Sequence, residues 1–186
     1  MMRFFVALAL CASPLAAQDF SEGSEARPWD LWGEVPARFE AKVIDILCDL
    51  TGDCPNDCGA GKRQLGLVRT ADDVLILPMK NSQPAFSGAA QELAPFCNQV
   101  IEVDGLLIED EDFPISNVYL VQRIKARDAD WIKANTWTKK WAAEHPEAAG
   151  KGPWFRRDLR IKEIIEREGY LGLGLAVDQK FAEDFF

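Results

Sequence analysis

Before residue 126, apolar and polar positions alternate with the period of two that belongs to strands. Residues 39–47 alternate from Phe39 to Val43 and then turn fully apolar, as a long, bent strand entering a core would. Residues 64–69 and 74–79 follow, joined by the polar run Thr70 to Asp73, which predicts a hairpin. Pro78 marks the end or the edge of that third strand. Residues 89–96 fit a short helix that Pro95 ends early. Residues 99–108 and 117–124 complete the strands, with Gly105 at an expected bulge or sharp bend.

After residue 126 the period becomes helical. Residues 128–144 place Trp131, Ala134, Trp137, Thr138 and Trp141 near helical spacing, and Pro146 stops the run. The tryptophan stripe is expected to pack as core against the strands; a ligand platform is the sharper alternative. His145, the only histidine, falls at that helix end as an exposed cap. Asp158 is placed to cap a second helix to Glu168, with Gly169 closing it. Residues 178–186 predict a short acidic helix ending in two phenylalanines. Gly169, Gly172 and Gly174 follow a helix and run in the reverse sense to a dinucleotide fingerprint, so that reading is rejected. The apolar tail is expected to dock on its own protein, or else to anchor a partner.

The division that follows is residues 1–17, a signal peptide; 18–37, an extended arm carrying Trp29 and Trp32; 38–125, a β-barrel; and 126–186, a helical extension packed on it. Arg3 precedes a short apolar run and then small residues up to Ala17, the order of a secretory signal. Leu10 before Cys11 does not fit a lipoprotein box. No later run is long enough to span a bilayer. A periplasmic, oxidising location is therefore expected.

That location decides how the cysteines are read. Of the chain's 5, Cys11 leaves with the signal, and Cys48, Cys54, Cys58 and Cys97 remain. An even number in an oxidising space predicts two disulfides, in any of three pairings. Their spacing matches no zinc ribbon or ferredoxin run, so neither metal nor other cofactor is expected. Gly52, Pro55, Asn56, Asp57, Gly59 and Gly61 make the segment around the first three an irregular loop.

The formal charge of −9 argues against nucleic acid and favours a basic protein partner. With one histidine, no His-based metal site can be assembled. Lys62 and Arg63 follow a glycine-rich turn that can cradle a small anion. Trp154, Arg156 and Arg157 precede a helix N-terminus and offer a second such place. The acidic run Glu109 to Asp112 has no internal glycine and is read as a solvated loop.

Three strands, a short helix and two strands, with Gly66 and Gly105 in mid-strand, resemble the OB-fold, a five-stranded Greek-key barrel, over residues 38–125. The expected fold class is mainly β with added α. The resemblance implies an antiparallel first and fourth strand, and from that a Cys48–Cys97 bridge with Cys54 paired to Cys58. The expected function is a non-catalytic binding or accessory role, in assembly or subunit docking. The alternative is a thiol-redox or metal-handling protein using Cys48, Cys54 and Cys58.

Overall fold

The computed structural model describes residues 19–30, 33–60, 62–79, 88–109, 117–134, 136–152 and 154–185. The signal segment, Cys11, Trp32, Gly61 and the acidic residues 110–112 lie outside the described residues.

Strand β1 (Glu34–Asp45) is the longest because it serves two partners. Its first part, Glu34 to Lys42, pairs antiparallel with β4 (Val100–Ile108). Its last part, Ala41 to Asp45, pairs antiparallel with β2 (Leu65–Arg69). β2 turns through residues 70–73 into β3 (Leu75–Pro78), the expected hairpin. Helix α2 (Gly88–Leu93) and one 3-10 turn, Ala94–Phe96, lead to β4, which pairs antiparallel with β5 (Val118–Ala126). A parallel β3–β5 pairing then closes a mixed five-stranded barrel, compatible with an OB-like fold. A two-residue strand, β6 (Ile132–Lys133), adds to the far side of β5.

The main core runs through Val43, Leu65, Leu67, Ile76, Val103, Tyr119 and Ile124. Tyr119 buries its ring there and donates its hydroxyl to the Ala37 carbonyl at 2.8 Å, so no polar atom is stranded. The β4–β5 register slips between Asp104 and Gly105, where a bulge was expected. A Cβ on Gly105 would lie 2.2 Å from the Leu120 carbonyl oxygen, so the crossing requires glycine.

The N-terminal arm is shorter than expected, since residues 34–37 are already strand. Trp29 stays exposed, and other contacts hold the described part of the arm. Phe20 meets the edge of Phe39 at 5.7 Å, under the Arg69 guanidinium. The fully buried Asp104 accepts from the Ser24 hydroxyl and the Glu25 amide while pairing with Arg123.

Three expectations need correction. β1 ends at Asp45, because the Asp45 carboxylate accepts from the amides of Leu47 and Cys48 and starts helix α1 (Ile46–Thr51). The expected helix over 128–144 is only α3 (Trp137–Glu144). Its first half is extended because β6 pairs with β5 and Trp131 is held by Arg38, Arg123 and Lys125. The disulfides are Cys48–Cys54 and Cys58–Cys97, not Cys48–Cys97 and Cys54–Cys58. The antiparallel β1–β4 pairing behind the other pairing does hold, and Asn98 donates its amide to the Val43 carbonyl. The α1 turn takes Cys48 off the line of the strand, however, and Gly52 reverses the chain so that Cys54 returns to it. Cys58, buried at 2% exposure, is the cysteine left to meet Cys97. Two such bridges suit an oxidising, extracytoplasmic environment.

Candidate functional site

Two regions carry the residues singled out above: the cysteine loop and the C-terminal helices. In the loop, Arg63 is a clasp. Its guanidinium donates to Asp45 at 3.2 Å, to the Asp53 carbonyl at 2.7 Å and to the Asp53 carboxylate at 2.7 Å. The hydrogen bond that Arg63 donates to Asp53 holds its pKa above the usual value. Its charge is therefore committed within the loop. Lys62 is exposed, with its amide closing a turn to the Gly59 carbonyl. Cys54 is exposed and Cys48 half-buried.

In the extension, α3 starts where Glu92 of α2 accepts from both the amide and the hydroxyl of Thr136. One turn of α3 separates Trp137 from Trp141, and both turn toward Trp154. Trp154 meets Trp137 edge-on at 4.5 Å and Trp141 at 5.4 Å. Arg157 lies over the Trp141 ring at 5.4 Å and donates to the Ala148 carbonyl at 2.8 Å. The stripe thus divides: Trp131 and Ala134 lie against the barrel, while Trp137 and Trp141 pack on the Trp154 turn, Trp141 being the residue of α3 that is buried. Arg156 stays exposed.

The N-terminus of α4 (Leu159–Glu168) is already filled. The buried Asp158 carboxylate accepts from the amides of Arg160 and Ile161 and pairs with the Arg160 side chain at 3.0 Å. The Arg160 hydrogen bond holds the Asp158 pKa below the usual carboxylate value. Of the anion site proposed there, the structure brings Trp154 and Arg157 together around Trp141 and leaves Arg156 apart. A cavity of about 190 Å³ opens beside them, lined by Trp141, His145, Glu147, Ala148, Asp158, Leu159 and Arg160. His145 is half-buried, its ring tilted against Trp141 at 5.0 Å, with Nδ1 3.0 Å from Glu147. The Glu147 pKa is lowered by its own backbone amide and then by His145.

α4 turns into α5 (Leu175–Phe185) through a glycine-rich link. The Leu171 amide donates to Asp178, and a Cβ on Gly169 would strike that carboxylate at 2.5 Å. The hairpin therefore holds its own shape, yet neither helix buries a residue. Tyr170 is 74% exposed, Leu173 67% and Phe185 69%. Phe181 and Phe185 stack at 4.4 Å beside an open cleft lined by Ala176, Val177, Lys180, Phe181 and Asp184.

Periodicity found these helices, but not which of their faces stay uncovered. The Arg63 clasp was also missed, although an aspartate three residues before Cys48 is a cap signal. Among the described residues, no three His, Cys, Asp or Glu side chains group to hold a metal, and no helix is long and apolar enough to cross a membrane. Compared with known proteins, the chain matches no family model, no curated protein and no solved structure.

Proposed function

We propose that the chain is a periplasmic accessory protein that acts by docking another protein, without catalysis, and that its barrel is of the OB type. The strand order β3-β2-β1-β4-β5, closed by a parallel β3–β5 pair with a helix between β3 and β4, supports the OB assignment. A fold of this kind carries no function by itself, so the reading rests on a surface.

The observation that carries it is the stacked Phe181–Phe185 pair on a hairpin that buries nothing of its own. Aromatic side chains held rigid in water are the usual anchors of protein interfaces. Glu183 and Asp184 lie between the two phenylalanines in sequence, and the whole chain is acidic, so the matching surface is apolar with a basic rim. Export rests on the charged, apolar and small-residue order of residues 1–17, and native protein should begin at or near Gln18.

The test is a Phe181→Ser, Phe185→Ser double variant in protein carrying a photo-crosslinker at Val177. It should melt within about 2 °C of the parent, as surface changes do, and lose its crosslink to a heterologous periplasmic protein. A large fall in melting temperature would mean that the tail docks in cis. A crosslink only to a second copy would replace the accessory role with self-association.

A further inference from the structure

The two disulfides differ in the properties that govern exchange. Cys58–Cys97 joins positions 39 residues apart, and Cys58 is 2% exposed inside the main core. Cys48–Cys54 joins positions 6 apart, Cys48 on a short helix with no buried residue and Cys54 past its end. Thiol–disulfide exchange needs a thiolate to reach one sulfur along the S–S axis, so access sets the rate. Cys54 is exposed and Cys48 half-buried; in the other bridge Cys97 is half-buried and Cys58 buried, so Cys54 is the most accessible of the four.

The segment is also tied independently of its bridge. Arg63 holds Asp45, three residues before Cys48, and Asp53, the residue before Cys54. The Asp45 carboxylate caps the amides of Leu47 and Cys48, the Gly52 amide donates to the Cys48 carbonyl at 2.8 Å, and the Thr51 hydroxyl donates to the Leu47 carbonyl at 2.6 Å. These contacts span the same stretch that the disulfide closes. They keep the turn formed while the bridge is open.

The surroundings choose the reagent. Asp45, Asp49, Asp53 and Asp57 outnumber Lys62 and Arg63 in the loop, and this net negative charge repels small anionic thiolates. Leu47, 46% exposed, and Leu50, 75% exposed, stand on the same short helix as Cys48 and offer an apolar foothold to a protein.

We infer that Cys48–Cys54 is an exchangeable bridge, opened by a dithiol protein that docks on Leu47 and Leu50, while Cys58–Cys97 is permanent. One thiolate of the dithiol attacks Cys54 Sγ and forms a mixed disulfide. The S–S electron pair leaves on Cys48 Sγ, which takes a proton from water. The second thiol of the dithiol, losing its proton, attacks its partner sulfur in the mixed disulfide. Cys54 is released as a thiolate and then protonated. The chain gains two thiols, and the dithiol protein becomes a disulfide.

The test uses the folded, oxidised full chain and a thioredoxin whose resolving cysteine is replaced by serine, with peptide mapping of the trapped adduct. The adduct is expected on Cys54, with Cys58–Cys97 intact. Leu47→Ser with Leu50→Ser should slow trapping about tenfold while leaving reduction by dithiothreitol unchanged. The inference is overturned by an adduct on Cys58 or Cys97, by two bridges that open only together, by leucine variants that trap as fast as the parent, or by glutathione opening the bridge faster than a wild-type thioredoxin at equal thiolate concentration. None of these outcomes bears on the Phe181–Phe185 surface, so the two readings fail separately.

Discussion

The barrel and the α4–α5 hairpin draw on the same apolar side chains and use them in opposite ways. In the barrel, Leu67, Ile76, Val103 and Ile124 are wholly withdrawn from water, and every strand shares its inner face with the others. In the hairpin, Leu173, Val177, Phe181 and Phe185 repeat at regular spacing and stay exposed. Spacing therefore marks an apolar face, but not whether this chain covers it. The barrel closes by pairing β3 with β5, so its faces find each other. Among the described residues, the hairpin packs chiefly on the Trp154 turn and keeps a face that this turn does not cover.

The sharpest way to break this contrast is to remove the cross-link that enters the barrel core. Replacing Cys58 and Cys97 together by Ala should cost about 4 kcal/mol, the chain-entropy value for a loop of this size. Replacing Cys48 and Cys54 together should cost about 2 kcal/mol or less by the same reasoning. Urea midpoints of the two double variants settle the order, and the reverse order would remove Cys58 from its place in the core.

Single truncations come next. Leu67→Ala empties space at a fully buried site and should cost about 3 kcal/mol. Phe185→Ala, at an exposed site, should change stability by less than about 0.5 kcal/mol. Equal losses from the two in thermal melts would mean that the hairpin shares the barrel's core.

Most of the barrel was legible because its strands alternate and are separated by turn residues that act locally. The hairpin at residues 70–73, the bulge at Gly105 and the Asp158 cap all depend on a few adjacent residues. What was misread depended on side-chain partners that the apolar pattern does not show. Ile46 and Leu47 continue an apolar run and look like strand, yet the Asp45 carboxylate turns them into helix. Trp131 has helical spacing, but three cations on the barrel wall hold it in an extended segment. The disulfide pairing failed for the first of these reasons, since a single helical turn decides which cysteine meets Cys97. Of the candidate site, Trp154 and Arg157 were found from composition, while the Trp141 ring they surround was assigned to the barrel core.

A smaller effect separates hairpin from barrel by pH. Asp158→Ala should cost about 1 kcal/mol, the usual value of a cap, and the loss should appear in hydrogen exchange of α4 before that of β4. The Asp158 pKa is lowered in the fold, so its contribution is full above the ordinary aspartate value of 3.8 and is lost as pH falls through the folded value. Protection of the amides at the start of α4, taken against their intrinsic rates at each pH, should therefore fall with acid in the parent. In Asp158→Asn, which keeps a capping oxygen but carries no charge, that acid dependence should vanish. Persistence of it there would assign the effect to another carboxylate.

The smallest expected effect is the most informative about the hairpin. Deleting the chain from Asp178 onward removes most of α5, including both phenylalanines and the carboxylate that receives the Leu171 amide. Because α5 buries no residue and packs on α4, the barrel should keep its urea midpoint to within about 0.5 kcal/mol. The loss should be confined to the link: amides near Leu171 should exchange freely, and α4 should fray from its Gly169 end. If instead the whole protein melts earlier by several degrees, the tail is part of the folding unit and its exposed face is not spare. If the midpoint holds and the crosslink at the cleft disappears with the phenylalanines, the helix is dispensable for folding and needed for docking. That separation distinguishes a surface kept for a partner from one left over by the fold.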